Sequence, residues 1–288
     1  MSLALRIIPR LDIKGPNLVK GVHMEGLRVL GKPEKFAKHY YEQGADELLY
    51  QDVVASLYGR NSLHDIVSRT AKEIFIPLTV GGGIRTLEDI SNILRAGADK
   101  VSINTAAIND PELVSSASKM FGASTIVVAI EAIRQLDGHY MAFTDNGRNT
   151  TGKEIVSWAK QAEELGAGEI LIVSVDQEGT GKGFDLNLAK QVSDEVSVPV
   201  VIHGGAGHIN DVLELANQVP VSGIAIASLF HHEYIANNRH LEGYDDEGNI
   251  EFLKSNRVMS NIEAATIRDL KALLVKHNIS CRQNVKVA

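Results

Sequence analysis

The feature that most narrows the fold is a stretch the chain uses twice. Pro77-Leu-Thr-Val-Gly-Gly-Gly-Ile84 in the first half is answered by Pro199-Val-Val-Ile-His-Gly-Gly-Ala206 in the second. Pro77 thus pairs with Pro199, Gly82 with Gly204 and Gly83 with Gly205, each 122 residues apart. The same offset aligns 36–47 with 158–169, where six of twelve positions are identical without a gap. Such an offset is too long for a solenoid repeat and describes a duplicated half within one fold. In each half an apolar run leads into paired glycines, where backbone N–H groups can meet an anion unobstructed by a Cβ. One glycine pair alone reads equally well as a tight turn; two in the same register weigh towards a ligand.

Around these stretches, short β-branched runs alternate with amphipathic ones. The patterns predict strands at Arg6–Ile13, Glu47–Val53, Ile76–Val80, Lys100–Asn104, Ile126–Glu131, Glu169–Val175, Val198–His203 and Gly223–Ala227. Helices are predicted at Pro33–Gln43, Leu87–Ala96, Pro111–Phe121, Lys153–Leu165, Leu186–Val196 and near Ile262–His277. Near-continuous apolar strands are those of a parallel sheet covered on both faces. Eightfold strand–helix alternation therefore predicts an α/β chain folded as a single (β/α)8 TIM barrel, with half-barrels at about 1–122 and 123–288. A doubly wound sheet competes, but it does not require near-equal halves.

A net charge of −7 argues against general nucleic-acid binding, although basic residues could still gather at one mouth around a small phosphorylated ligand. The single cysteine, Cys281, can form no internal disulfide, which suits a reducing compartment. No apolar run approaches eighteen residues, so neither membrane span nor signal peptide is expected and a cytoplasmic location is the default. His231, His232 and His240 fall near Asp245 and Asp246, but their spacing matches no ligand motif. No metal and no cofactor is expected.

Active sites of such barrels lie at the C-terminal ends of the strands. The duplication would build two backbone-lined anion pockets there, one from Gly82, Gly83, Asn104 and Thr105, the other from Gly204, Gly205, Ala227 and Ser228. Two pockets imply a ligand with a phosphate at each end. Between them the first strand ends at Asp12 and the fifth at Glu131, 119 residues apart. A carboxylate after a long apolar run is costly unless paired or chemically employed. An opposed pair suits acid–base catalysis. The plainer reading is that each caps a turn or pairs with a lysine.

Arg6-Ile-Ile-Pro, Leu11-Asp-Ile-Lys14, Val19-Lys-Gly-Val22, Val80-Gly-Gly-Gly-Ile-Arg85, Ala96-Gly-Ala-Asp-Lys-Val-Ser-Ile-Asn104 and His203-Gly-Gly-Ala-Gly207 resemble the HisF family. These are the cyclase subunits of imidazole glycerol phosphate synthase. The resemblance implies a barrel that receives ammonia from a HisH-like glutaminase docked at its bottom as a heterodimer. It also implies conversion of a phosphoribulosyl formimino ribonucleotide into imidazole glycerol phosphate and an aminoimidazole ribonucleotide. Carried over by position, Asp12 and Glu131 are catalytic and Lys20 is a loop lysine folding over the site. Gly82, Gly83, Asn104 and Thr105 take one phosphate; Gly204, Gly205, Ala227 and Ser228 take the other; Asp176 is a further substrate contact. Arg6, Glu47, Lys100 and Glu169 form a charged ring gating the ammonia passage.

The chain also departs from this family. Glu131 replaces an aspartate, Glu178 replaces a mouth aspartate, Val173 a threonine and Arg10 a cysteine. His203 replaces a small residue, where it would crowd the second pocket or charge it. A long loop at about 232–261 follows strand eight. The pattern leads first to a diverged HisF-like subunit that uses or delivers ammonia at a bisphosphate-type site, in amidino-sugar and surface-polysaccharide biosynthesis, with a sugar amidotransferase as a further partner. The alternatives are an ordinary cyclase subunit of histidine biosynthesis and a non-catalytic barrel that activates a partner glutaminase.

Overall fold

A computed structural model describes residues 4–55, 63–238 and 261–283. In chain order the strands are β1 (Arg6–Lys14), β2 (Asn17–Val22), β3 (Glu25–Gly31), β4 (Leu48–Asp52), β5 (Leu78–Gly81), β6 (Lys100–Ile103), β7 (Ile126–Arg134), β8 (Tyr140–Thr144), β9 (Asn149–Glu154), β10 (Glu169–Ser174), β11 (Val200–His203) and β12 (Gly223–Ile226). The described helices are α1 (Pro33–Gln43), α2 (His64–Thr70), α3 (Leu87–Ala96), α4 (Thr105–Asn109), α5 (Glu112–Phe121), α6 (Ile155–Glu164), α7 (Leu186–Ser193), α8 (Ile209–Gln218), α9 (Ser228–Asn237) and α10 (Ile267–Lys276).

Eight strands pair in parallel in the order β1-β4-β5-β6-β7-β10-β11-β12, and β12 returns to β1 to close the barrel. The expected (β/α)8 barrel is therefore what the chain forms. Each half opens with a long strand that carries an antiparallel hairpin, β2–β3 on β1 and β8–β9 on β7. The hairpins are the duplication seen in three dimensions.

Alternation along β1 divides its side chains between two cores. Ile7, Leu11 and Ile13 join the layer between strands and helices, while Ile8 joins an inner cluster with Leu49, Val127, Ala129, Leu171, Val173, Val201 and Ala225. A period of two makes this sorting automatic. It turns Arg6, Ile8, Arg10 and Asp12 into one inward column running from barrel bottom to mouth. Outside, Trp158 of α6 is fully buried and α3 begins with a capping box between Thr86 and Asp89. The C-terminal helix α10 is pinned by Lys271, whose Nζ donates to Gly44 O at 2.8 Å and Asp46 Oδ1 at 2.7 Å.

Two sequence expectations shift. The segment after His231 begins as helix, since α9 runs through Asn237, and the final helix starts at Ile267 rather than Ile262. The α9 residues beyond His231 carry no helix signal in the sequence because their polar groups are buried in pairs. Glu233 accepts from His39 and Gln43, and the buried His231 Nδ1 lies 2.6 Å from Tyr40 Oη. His240, Asp245, Asp246 and most of the long 232–261 segment lie outside the described residues. No helix among the described residues is long and apolar enough to cross a membrane.

Candidate active site at the barrel mouth

The site is best built upward along the inward column. At the bottom, Arg6 donates to Glu47 Oε2 at 2.8 Å and to Glu169 Oε2 at 2.6 Å. Lys100 reaches Glu47 at 2.9 Å and Glu169 at 3.4 Å, so the four residues close a ring of alternating charge. Thr79 Oγ1 adds a 2.5 Å bond to Glu47 Oε1. Directly above lies a void of about 10 Å³, lined by Ile8, Leu49, Val127, Leu171 and Val201 with Glu47, Thr79 and Glu169 as its floor. A space of that size fits one small molecule. Leu171 also lines the larger mouth cavity, which makes it the shared wall between the two.

At the mouth each half presents one carboxylate, steadied by its own hairpin. Asp12 on β1 is buried and accepts from Arg10 Nε at 2.8 Å and from Lys20 Nζ, on β2, at 3.1 Å. Burial alone would raise its pKa, but the charges of Arg10 and Lys20 outweigh that and hold it below the usual carboxylate range. Glu131 on β7 accepts the Gly147 N–H at 2.8 Å, delivered by the β8–β9 turn. Here desolvation dominates. Burial pushes Glu131 up to about 7, against the opposing pull of Gly147, Asn104 and Arg10. Two equivalent carboxylates thus carry different protons at neutral pH, the pattern expected of an acid–base pair.

The two glycine cradles are less alike than the repeat suggests. Gly82, Gly83, Asn104 and Thr105 line a cavity of about 250 Å³ together with Arg10, Gln51, Asp52, Ser102 and Glu131. Gly82 sits at φ +98°, and a Cβ there would meet Asp52 O at 2.3 Å. Its counterpart Gly204 sits at φ +107°, so the shared turn requires glycine in both halves. Gly204, Gly205, Ala227 and Ser228 line a space of only about 10 Å³. Lys20 is drawn there to Glu178, and His203 Nε2 lies 2.7 Å from Glu178 Oε2, though out of line for a hydrogen bond. Burial, with Arg10 and Lys20 nearby, holds the His203 pKa well below its usual value. His203 therefore crowds the second cradle and adds no charge.

The geometry gathers Asp12, Lys20, Glu131 and both cradles at one mouth, and the four ring residues at the other end. Asp176 lies apart. Its carboxylate accepts the Arg134 N–H at 2.8 Å, and it lines neither cavity described above. Sequence reasoning missed Gly147, whose contribution is a backbone N–H, and Ser102, which the β6 alternation between Lys100 and Asn104 places inward.

Comparison with known proteins gives a consistent result. The family described as histidine biosynthesis protein matches residues 6–236. The imidazole glycerol phosphate synthase subunit HisF of Legionella pneumophila is 58% identical over 207 residues, covering 72% of this chain and 98% of that protein. The subunit of the same name from Bifidobacterium adolescentis is 48% identical over 237 residues, covering 81% and 92%. That of Bacillus cereus strain AH187 is 46% identical over 230 residues, covering 80% and 91%.

Proposed function

The chain belongs to the HisF family, and from that premise we propose that it is the cyclase subunit of an imidazole glycerol phosphate synthase in histidine biosynthesis. This is the second of the sequence readings. The named relatives favour it over the sugar-amidation reading, which nothing in them supports. One observation carries the mechanism: a single inward column links a sealed charge ring, a void sized for ammonia and a cavity with two differently protonated carboxylates.

Ammonia released by a HisH-like glutaminase at the barrel bottom would pass the ring and cross the apolar void in neutral form. There it reaches the formimino ribonucleotide, whose phosphates lie towards the two cradles. Ionised Asp12 takes protons from the attacking nitrogen, and protonated Glu131 returns them to the departing oxygen. Docking is supported by the bottom face itself, where Phe75 is 81% exposed beside a groove of about 360 Å³ lined by Ile76, Pro77 and Asp99. The test is an ammonium-driven assay near neutral pH, with ammonium salt in large excess to supply free ammonia, and the ribonucleotide. Formation of imidazole glycerol phosphate is expected. A protein that stimulates a glutaminase yet forms none would instead be the diverged subunit, with another acceptor.

The ring gives a separate prediction. Glu47→Gln removes the counter-charge shared by Arg6 and Lys100 and loosens the seal. Glutamine-driven turnover is expected to fall about fivefold or more relative to glutamine hydrolysis. Ammonium-driven turnover stays near the parent's, because ammonia then enters from solution. Equal losses in both assays would remove the ring from the passage.

A further inference from the structure

Arg10 is a buried residue of the mouth with more donors than acceptors. It is 2% exposed, lies on β1 between the apolar void and Asp12, and lines the 250 Å³ cavity. Its Nε is satisfied by Asp12 at 2.8 Å. Among the described residues none accepts from either of its Nη atoms. The surrounding wall includes Ala129, Leu171 and Val173, which offer no side-chain acceptor. Two buried polar atoms of the same cavity lack partners: Ser102 Oγ and Asn104 Oδ1. With Nε held by Asp12, the other edge of the guanidinium can meet an acceptor that arrives from outside.

We propose that Arg10 forms a donor subsite for a ligand carbonyl oxygen at the centre of the cavity and is a catalytic residue at the carbonyl that ammonia attacks. The inference rests on the cyclase reading and deepens it. The ribulosyl group of that substrate is a ketose, so its carbonyl is the natural electrophile. Arg10 stands one inward position above Ile8, where the passage opens, so ammonia emerges beside the oxygen that the Nη atoms would hold. The nitrogen lone pair forms the C–N bond while the C=O π pair moves onto oxygen, and the guanidinium takes up the developing negative charge. Two nitrogen protons leave in turn by way of Asp12, and two are delivered to the oxygen through Glu131, so that it leaves as water as the C=N bond forms. Nothing is oxidised or reduced. Ser102 and Asn104 face the same ligand and can bond the neighbouring hydroxyls. Arginine suits this place because its fork satisfies Asp12 through Nε and still presents a second edge.

The experiment compares the parent with Arg10→Cys and Arg10→Lys in ammonium-driven turnover, after circular dichroism shows that each folds. Cysteine is the residue usual at this position in the family, so the variant is expected to fold. Loss of an oxyanion donor is expected to lower kcat of Arg10→Cys about 10²–10³-fold with little change in KM for the ribonucleotide. Millimolar guanidinium chloride, far below denaturing concentrations, should restore part of the loss. Arg10→Lys, which keeps the charge without the fork, should fall between the two and gain nothing from guanidinium. Parent-like turnover by Arg10→Cys overturns the proposal, and so does a loss that guanidinium does not restore, which would mean that Arg10 only holds Asp12. An inactive parent overturns the cyclase reading as well, so the two failures are told apart by the parent alone.

Discussion

Asp12→Asn should lower ammonium-driven turnover about 10²–10⁴-fold, the range expected when a positioned proton acceptor is lost. The argument rests on what else the substitution preserves. Asparagine has the same shape, its Oδ1 can still accept from Arg10 Nε, and the β1–β2 pairing around it is backbone. What disappears is the negative charge that Arg10 and Lys20 share. The variant should also lose stability, because removing one partner of a buried ion pair typically costs about 3–5 kcal/mol. A group whose folded pKa is depressed stabilises the fold above its unfolded pKa and loses that contribution as pH falls through the folded value. For Asp12 that window lies below the ordinary carboxylate value of 3.8, so the variant's melting temperature should depend less on acid than the parent's. Turnover measured well below the melting temperature separates the two effects. An Asp12→Asn protein that turns over within a few-fold of the parent would leave the mouth without its base.

The barrel was legible because its evidence is periodic. An offset of 122 residues specifies two halves, and apolar runs with strand character specify what each half contains. Helices α1 and α3 begin and end where the sequence puts them, since Pro33 opens one and the Thr86 capping box opens the other. What escaped lacks such a signal. The hairpin strand β9, Asn149–Glu154, is polar and partly exposed, so its first residues carry no strand signal and Lys153 and Glu154 read as the start of a helix. Glu154 in fact caps α6, with its carboxylate accepting from Val156 N and Ser157 N. The ring residues were found by resemblance, and their geometry explains why all four stand together: each acid there binds both cations. The substituted mouth residues were visible singly but not as a set. Only in three dimensions does His203 meet Glu178, Glu178 meet Lys20, and Lys20 and Arg10 meet Asp12. The replacements are thus mutually compensated within one buried network.

Glu131→Gln should lower turnover and raise stability at alkaline pH, two changes of opposite sign from one removed proton. In the parent the carboxyl is pushed up to about 7 by burial, so near neutrality a substantial fraction remains protonated and can serve as the acid. As pH rises through 7 that fraction falls. The parent's turnover should show this limb, and the glutamine variant should lack it while running about 10²–10⁴-fold slower. Stability follows the same proton. A group whose folded pKa is raised contributes stability that is fully present below its unfolded value and is lost as pH rises through its folded value. A rise from 4.5 to about 7 corresponds to about 3 kcal/mol at roughly 1.4 kcal/mol per unit. Glutamine carries no such charge, and its amide oxygen still accepts the Gly147 N–H. Thermal melts at pH 5 and pH 8 should therefore show the parent weakening between the two while Glu131→Gln changes less. A variant destabilised at both pH values would mean that the carboxylate holds the β8–β9 turn through its charge. A pH limb that persists in the variant would assign the titration near 7 to another group and leave Glu131 a structural acceptor.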